Sequence, residues 1–233
     1  MAQHIGIVGC SSEGAALCYR TICLEAAEEM GEYNHPEITM HTPSFLKYYE
    51  GISTGDWERV AALMLRSTEI VARAGADFAM SPDNTIHEAF DLVMRDSPIP
   101  WLHIADTVGE EARNRGIIRL GVLGTEYLMT GPVYPERLEK YEITCEIPDE
   151  EDRANIQKII FKELVKGVFS EKSRQYMNTV VEKFRERGCG GVVLGCTEIP
   201  LLVDPDDCPL PTLDSTRLLA RASLRKALGN TIK

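Results

Sequence analysis

Ile5-Gly6-Ile7-Val8-Gly9, read beside Leu120-Gly121-Val122-Leu123-Gly124, decides the fold of this 233-residue chain. Each is a short apolar run broken by glycine, the pattern of a parallel strand covered on both faces. Two more pairs follow in the same order at a nearly constant offset. Gly75 to Thr85 (GADFAMSPDNT) is echoed by Gly188 to Glu198 (GCGGVVLGCTE), and Ile99-Pro100-Trp101-Leu102-His103 by Leu210-Pro211-Thr212-Leu213-Asp214. One such match carries no weight, because strands resemble one another. Three in order argue for an internal duplication.

Outward from these runs, short apolar segments alternate with longer amphipathic ones, the signature of βαβ units. Strands are predicted at Ile5 to Val8, Glu37 to His41, Phe78 to Ser81, Trp101 to Ile104, Leu120 to Leu123, Tyr141 to Cys145, Gly191 to Leu194 and Thr212 to Leu213. Helices are predicted at Glu13 to Met30, Asp56 to Ala74, Ile86 to Arg95, Asp106 to Asn114, Glu150 to Val165, Glu171 to Arg187 and Ser215 to Ala227. The expected fold is α/β, with two pseudo-symmetric subdomains, each a mostly parallel sheet flanked by helices. Residues 1–105 with 218–233 form the first and 106–217 the second, with the active site in the cleft between them.

Composition narrows the function classes. At 44% hydrophobic the chain can bury a substantial core, and its net charge of −11, from 36 acidic and 25 basic residues, disfavours nucleic acid and anionic membranes as partners. No apolar run approaches the roughly 20 residues of a membrane span, and the first residues lack a basic, then apolar, export signal. The seven cysteines are odd in number and without a paired zinc spacing, which reads as free thiols in the cytoplasm and no metal site. The remaining class is a small-molecule enzyme or binder.

In open parallel sheets, ligands bind beyond the carboxyl ends of the strands. Those ends are Gly9-Cys10-Ser11-Ser12, Asp83-Asn84-Thr85, Gly124-Thr125 and Cys196-Thr197-Glu198. The duplication pairs Asp83 with Cys196. Two acid/base groups on opposite faces of one carbon can remove a proton from one side and return one to the other, inverting a stereocentre. A thiol at a helix start is more readily ionised than the usual cysteine, which suits Cys196. Ser11, Ser12, Asn84, Thr85, Thr125, Thr197 and Glu198 are the candidate substrate contacts, and His87 a candidate orienting group. Each has a plainer reading. A cysteine after an apolar strand is commonly a small buried hydrophobe, Asp83 or Asn84 in Pro-Asp-Asn-Thr is good helix-capping chemistry, and His87 fits a satisfied structural role.

The runs IGIVGCSSE (5–13), DNTIH (83–87), LGT (123–125) and LGCTEIPLL (194–202), together with Gly55-Asp56-Trp57, Ile159 to Leu164 and Asp214-Ser215-Thr216, resemble the aspartate/glutamate racemase family of the Asp/Glu/hydantoin racemase superfamily. The resemblance implies two pseudo-symmetric α/β subdomains, a homodimer, and racemisation of acidic amino acids without pyridoxal phosphate or metal. Family members typically use two cysteines, in Cys-Asn-Thr and Gly-Cys-Thr motifs. Cys196 matches the second, while Asp83 stands in place of the first. Cys10 is an alternative thiol at a neighbouring strand end. The sequence departs from the family again where some aspartate racemases hold a cation for the substrate's side-chain carboxylate: Lys166 does not fall clearly at that place and the loop 42–47 has no arginine, so Lys47 and Lys166 read either as contacts for an acidic substrate or as solvated surface charges. The expected function is therefore a cofactor-independent racemase of an acidic amino acid acting through Cys196 and Asp83. The alternatives are a one-cysteine decarboxylase or isomerase of a small dicarboxylic acid, or a catalytically silent ligand-binding relative.

Overall fold

The computed structural model describes residues 2–229. The chain divides into two compact units, Met1–Ile104 with Thr216–Lys233, and Ala105–Ser215. The first unit holds β1 (Ile5–Val8), α1 (Ser12–Met30), β2 (Ile38–His41), α2 (Phe45–Thr54), α3 (Trp57–Arg73) and β3 (Phe78–Met80). A 3-10 turn over Thr85–Ala89, α4 (Phe90–Asp96) and β4 (Trp101–Leu102) follow. The second holds most of α5 (Ile104–Asn114), then β5 (Arg119–Leu123), α6 (Glu126–Thr130), α7 (Val133–Glu139), β6 (Thr144–Glu146), α8 (Glu150–Lys162), α9 (Glu171–Glu186), β7 (Gly191–Leu194), α10 (Ile199–Leu202) and β8 (Thr212–Asp214). The closing helix α11 (Ser215–Ala227) returns the chain to the first unit.

Both sheets are parallel and four-stranded, and they share one strand order. It is β2-β1-β3-β4 in the first and β6-β5-β7-β8 in the second. The duplicated glycines have a packing reason. A Cβ on Gly6 would lie 2.7 Å from Val71 of α3, and one on Gly121 would lie 2.3 Å from the ring of Phe184 on α9. In each unit the glycine of the leading strand lets one helix press onto the sheet.

Each unit has its own core. In the first, Ile5, Ile7, Phe78 and Met80 of the sheet meet Cys18 and Ile22 of α1 and Leu219, Ala220 and Leu224 of α11. In the second, Leu123, Val192 and Leu194 pack with Ile156 and Ile160 of α8 and Met177, Val180, Val181 and Phe184 of α9. The helices bury the stripes that 3.6-residue periodicity dictates, as in α3, where Val60, Ala61, Met64, Ser67, Thr68 and Val71 face inward. Its two buried hydroxyls are satisfied by i−4 carbonyls, Ser67 at Leu63 (3.0 Å) and Thr68 at Met64 (2.8 Å).

The sequence reading departs from the structure in places with local causes. The strand expected through Ile104 stops at Leu102, because Ile104 already begins α5. The helix expected from Ile86 begins as a 3-10 turn at Thr85 and becomes α-helical at Phe90. The strand expected from Tyr141 begins at Thr144, after a turn in which Glu142 takes a positive φ of 59°. No helix among the described residues is long and apolar enough to cross a membrane. All seven cysteines are free thiols.

Candidate active site

In the first unit, β1 ends at Val8 and the chain turns through Gly9-Cys10-Ser11 into α1. Ser11 is the N-cap, its hydroxyl accepting the Gly14 N–H at 3.2 Å. The next strand over, β3, ends at Met80 and runs through Ser81-Pro82 to Asp83. The Asp83 carboxylate crosses to the β1 loop. Oδ2 accepts the Cys10 N–H at 3.0 Å, and Oδ1 and Oδ2 take the Ser11 N–H at 3.1 and 3.2 Å. The Asp83 side chain is thereby tied to the main chain of Cys10 and Ser11, while the Cys10 thiol itself is buried. Ser12 is exposed on the first turn of α1.

Asn84 is buried at the start of the 3-10 turn, and its side chain makes no cap bond there. Thr85 opens that turn and is half-buried. His87 is 3% exposed, with Nε2 3.0 Å from the Ser81 carbonyl. Its ring stacks on Phe90 and meets His103 edge-on at 4.5 Å between centroids. His87 thus shapes the loop that carries Asp83 through an aromatic cluster.

Two residues of this unit escaped the sequence reading. Tyr48 on α2 is fully buried, and burial drives its hydroxyl well above the usual tyrosine range, with Cys10 and Asp83 adding to the rise and the nearby Ser67 hydroxyl opposing it. His41, at the carboxyl end of β2, lies 2.9 Å through Nδ1 from Ser67 Oγ, and burial, helped by Arg66, lowers its basicity. Only its place at the end of a strand could have signalled His41. Tyr48 lies in a helix whose aromatic and β-branched sequence hides it. Lys47 and Lys166 are both exposed.

In the second unit, β7 ends at Leu194, and Gly195 N–H donates to the Leu123 carbonyl at 2.7 Å, tying the next turn to β5. A Cβ on Gly195 would lie 2.8 Å from that same carbonyl oxygen, so the turn requires glycine. Cys196 follows, half-buried. Its Sγ donates to Glu198 Oε2 at 3.0 Å, and the Thr197 hydroxyl donates to the same oxygen at 2.7 Å. Thr197 and Glu198 are 4% and 6% exposed. The expected helix start at Cys196 is a turn, and the helix that follows, α10, begins only at Ile199 and has four residues. Thr125 caps α6, its hydroxyl accepting the Leu128 N–H at 3.3 Å.

β3 and β7 hold the same place in their two sheets, so Asp83 and Cys196 lie beyond equivalent strands, as the duplication required. A family model described as Asp/Glu/hydantoin racemase matches residues 7–223. Among solved structures, a Yersinia pestis protein proposed to be an Asp/Glu racemase is 33% identical, covering 97% of this chain and 99% of its own, with a TM-score of 0.90. An aspartate racemase homologue from Pyrococcus horikoshii OT3 is 30% identical over 98% of this chain and 100% of its own, with a TM-score of 0.84. Glutamate racemase from Aquifex pyrophilus shares the fold at 17% identity, covering 99% of this chain and 84% of its own, with a TM-score of 0.67.

Proposed function

The chain belongs to the Asp/Glu/hydantoin racemase family, and from that premise we propose that it is a cofactor-independent racemase of an acidic amino acid. Cys196 works on one face of the α-carbon and Asp83 on the other. The observation that carries this reading is the placement of the two residues beyond equivalent strands of two sheets with one strand order. Removing the α-proton leaves an electron pair that spreads into the substrate carboxylate, and donors aimed at that carboxylate lower the barrier. Asn84, Thr85, Ser12 and Thr125 supply such donors. Ser11 joins them, because a hydroxyl that accepts a main-chain N–H still has its own proton to give. The Thr197 oxygen, its hydroxyl proton engaged in the hydrogen bond to Glu198, presents lone pairs to the substrate ammonium. We place the working protein in the cytoplasm as a homodimer, in line with its family.

One observation favours a second reading. The Asp83 carboxylate already accepts the Cys10 and Ser11 N–H groups, which suits an ionised carboxylate that fixes the β1 loop better than a strong base. With Asp83 confined to that task, Cys196 alone protonates a planar intermediate. The reaction is then a decarboxylation or isomerisation of a small dicarboxylic acid.

Asp83→Asn separates the two. Under the racemase reading, solvent deuterium exchange at the α-carbon falls by about 10²-fold or more for one enantiomer and is retained for the other. Equal rates before and after the substitution, measured by proton NMR for both enantiomers of aspartate and glutamate, would return Asp83 to a purely structural role.

A further inference from the structure

The Glu198 carboxylate is committed inside its own turn, with Oε2 3.0 Å from Cys196 Sγ and 2.7 Å from Thr197 Oγ1, on a side chain only 6% exposed. A thiolate beside a carboxylate at that distance would set two anions in contact, away from most of the water. A shared proton removes the conflict. Sγ is the donor in that contact and Oε2 the acceptor, which places the proton on sulfur. The opposing influence is weak, since α10 has only four residues and starts three positions beyond Cys196.

Three neighbouring elements bring titratable or charged groups close to this stretch. From β8, Asp214 sits in register with Leu194, two residues before Cys196. From α7, Tyr134 comes near Gly195, and burial holds its phenol neutral. From α9, Arg174 spends its Nε–H on the Leu202 carbonyl at 3.0 Å, at the far end of α10.

We propose that Glu198 is a positioning residue that keeps Cys196 protonated and aimed at rest, so that Cys196 enters the reaction as an acid. The consequence for catalysis rests on the racemase reading above. The base on the other face takes the α-proton, and the electron pair passes into the substrate carboxylate. The S–H bond of Cys196 then breaks as a new Cα–H bond forms, its electron pair remaining on sulfur as a thiolate. Before the next turnover the thiolate regains a proton from water and the protonated base gives one up. The resting protein is thus set to begin with one enantiomer.

The test pairs a substrate-free alkylation profile with the α-proton exchange assay. The purified full-length protein is alkylated with iodoacetamide from about pH 6 to about pH 10, and the Cys196 peptide is followed by mass spectrometry. Competing labels are slow at Cys145, Cys189 and Cys208, whose thiols burial pushes up, Cys145 to about 12. The expected midpoint for Cys196 lies above the ordinary thiol value of about 8.5, and Glu198→Gln raises its rate about 10-fold near pH 7.5. Glu198→Asp, which keeps the charge, restores most of the wild-type profile. A wild-type midpoint at or below about 8.5 overturns the proposal even if the glutamine variant does not fold, and so does an unchanged rate in a folded glutamine variant. Exchange of substrate α-protons with an unaltered alkylation profile would remove the role of Glu198 alone. The expected profile without any exchange would remove the racemase reading alone.

Discussion

Cys196→Ser is expected to lower turnover by about 10³-fold while leaving the melting temperature almost unchanged. The serine hydroxyl is close in size to the thiol and can donate to Glu198 just as Cys196 does at 3.0 Å. The turn therefore keeps its hydrogen bonds. What is lost is acidity, because an alcohol gives up its proton far less readily than a thiol and the resulting alkoxide finds no stabilising charge beside a carboxylate. Steady-state rates and a thermal melt on the same preparation check both halves. Retained activity would take Cys196 out of the chemistry, and a collapsed melting transition would make it a packing residue.

Phe184→Ala is the corresponding test of the architecture. Its ring is fully buried on α9 and occupies the space that Gly121 leaves open on β5, where a Cβ would come within 2.3 Å of it. Truncation removes a large aromatic from the centre of the second unit, beside Val180, Val181 and Val192. The expected cost is about 3–5 kcal/mol, seen as a lower denaturation midpoint in urea. A loss below about 1 kcal/mol would mean that α9 does not bear on the sheet as described.

Much of this fold can be read from the sequence because parallel strands covered on both sides are written as continuous apolar runs. Ile5–Val8 and Gly191–Leu194 are fully buried along their length and appear where the apolar runs place them. The duplication fixed the equivalence of β3 and β7, and with it that of Asp83 and Cys196. Other features were hidden for physical reasons. α6 and α7, of five and seven residues, are too short to display a helical period. α2 follows Thr-Pro-Ser and carries Gly51, which reads as loop, although the glycine is there because a Cβ would lie 2.9 Å from Val60. The partners of the Asp83 carboxylate lie more than 70 residues away, so no local pattern points to them. Glu198 was visible only two residues from Cys196, yet its role depends on the turn that folds its carboxylate back onto the thiol.

The position of Glu198 also changes how Cys196 is understood. A helix start, as the sequence suggests, would make a thiolate accessible, whereas the structure sets a carboxylate against the sulfur and supplies only a one-turn helix. The difference matters for direction, because a thiol gives a proton first and a thiolate takes one first.

The most direct test is incubation of the purified protein in deuterium oxide, without added cofactor, with the L and D forms of aspartate and glutamate, following the α-proton signal by NMR. Loss of that signal, with the opposite enantiomer appearing on a chiral column, is the expected result. An undiminished α-proton signal in all four amino acids, from protein that melts cooperatively, would contradict racemisation of acidic amino acids and direct attention to decarboxylation or isomerisation of small dicarboxylic acids.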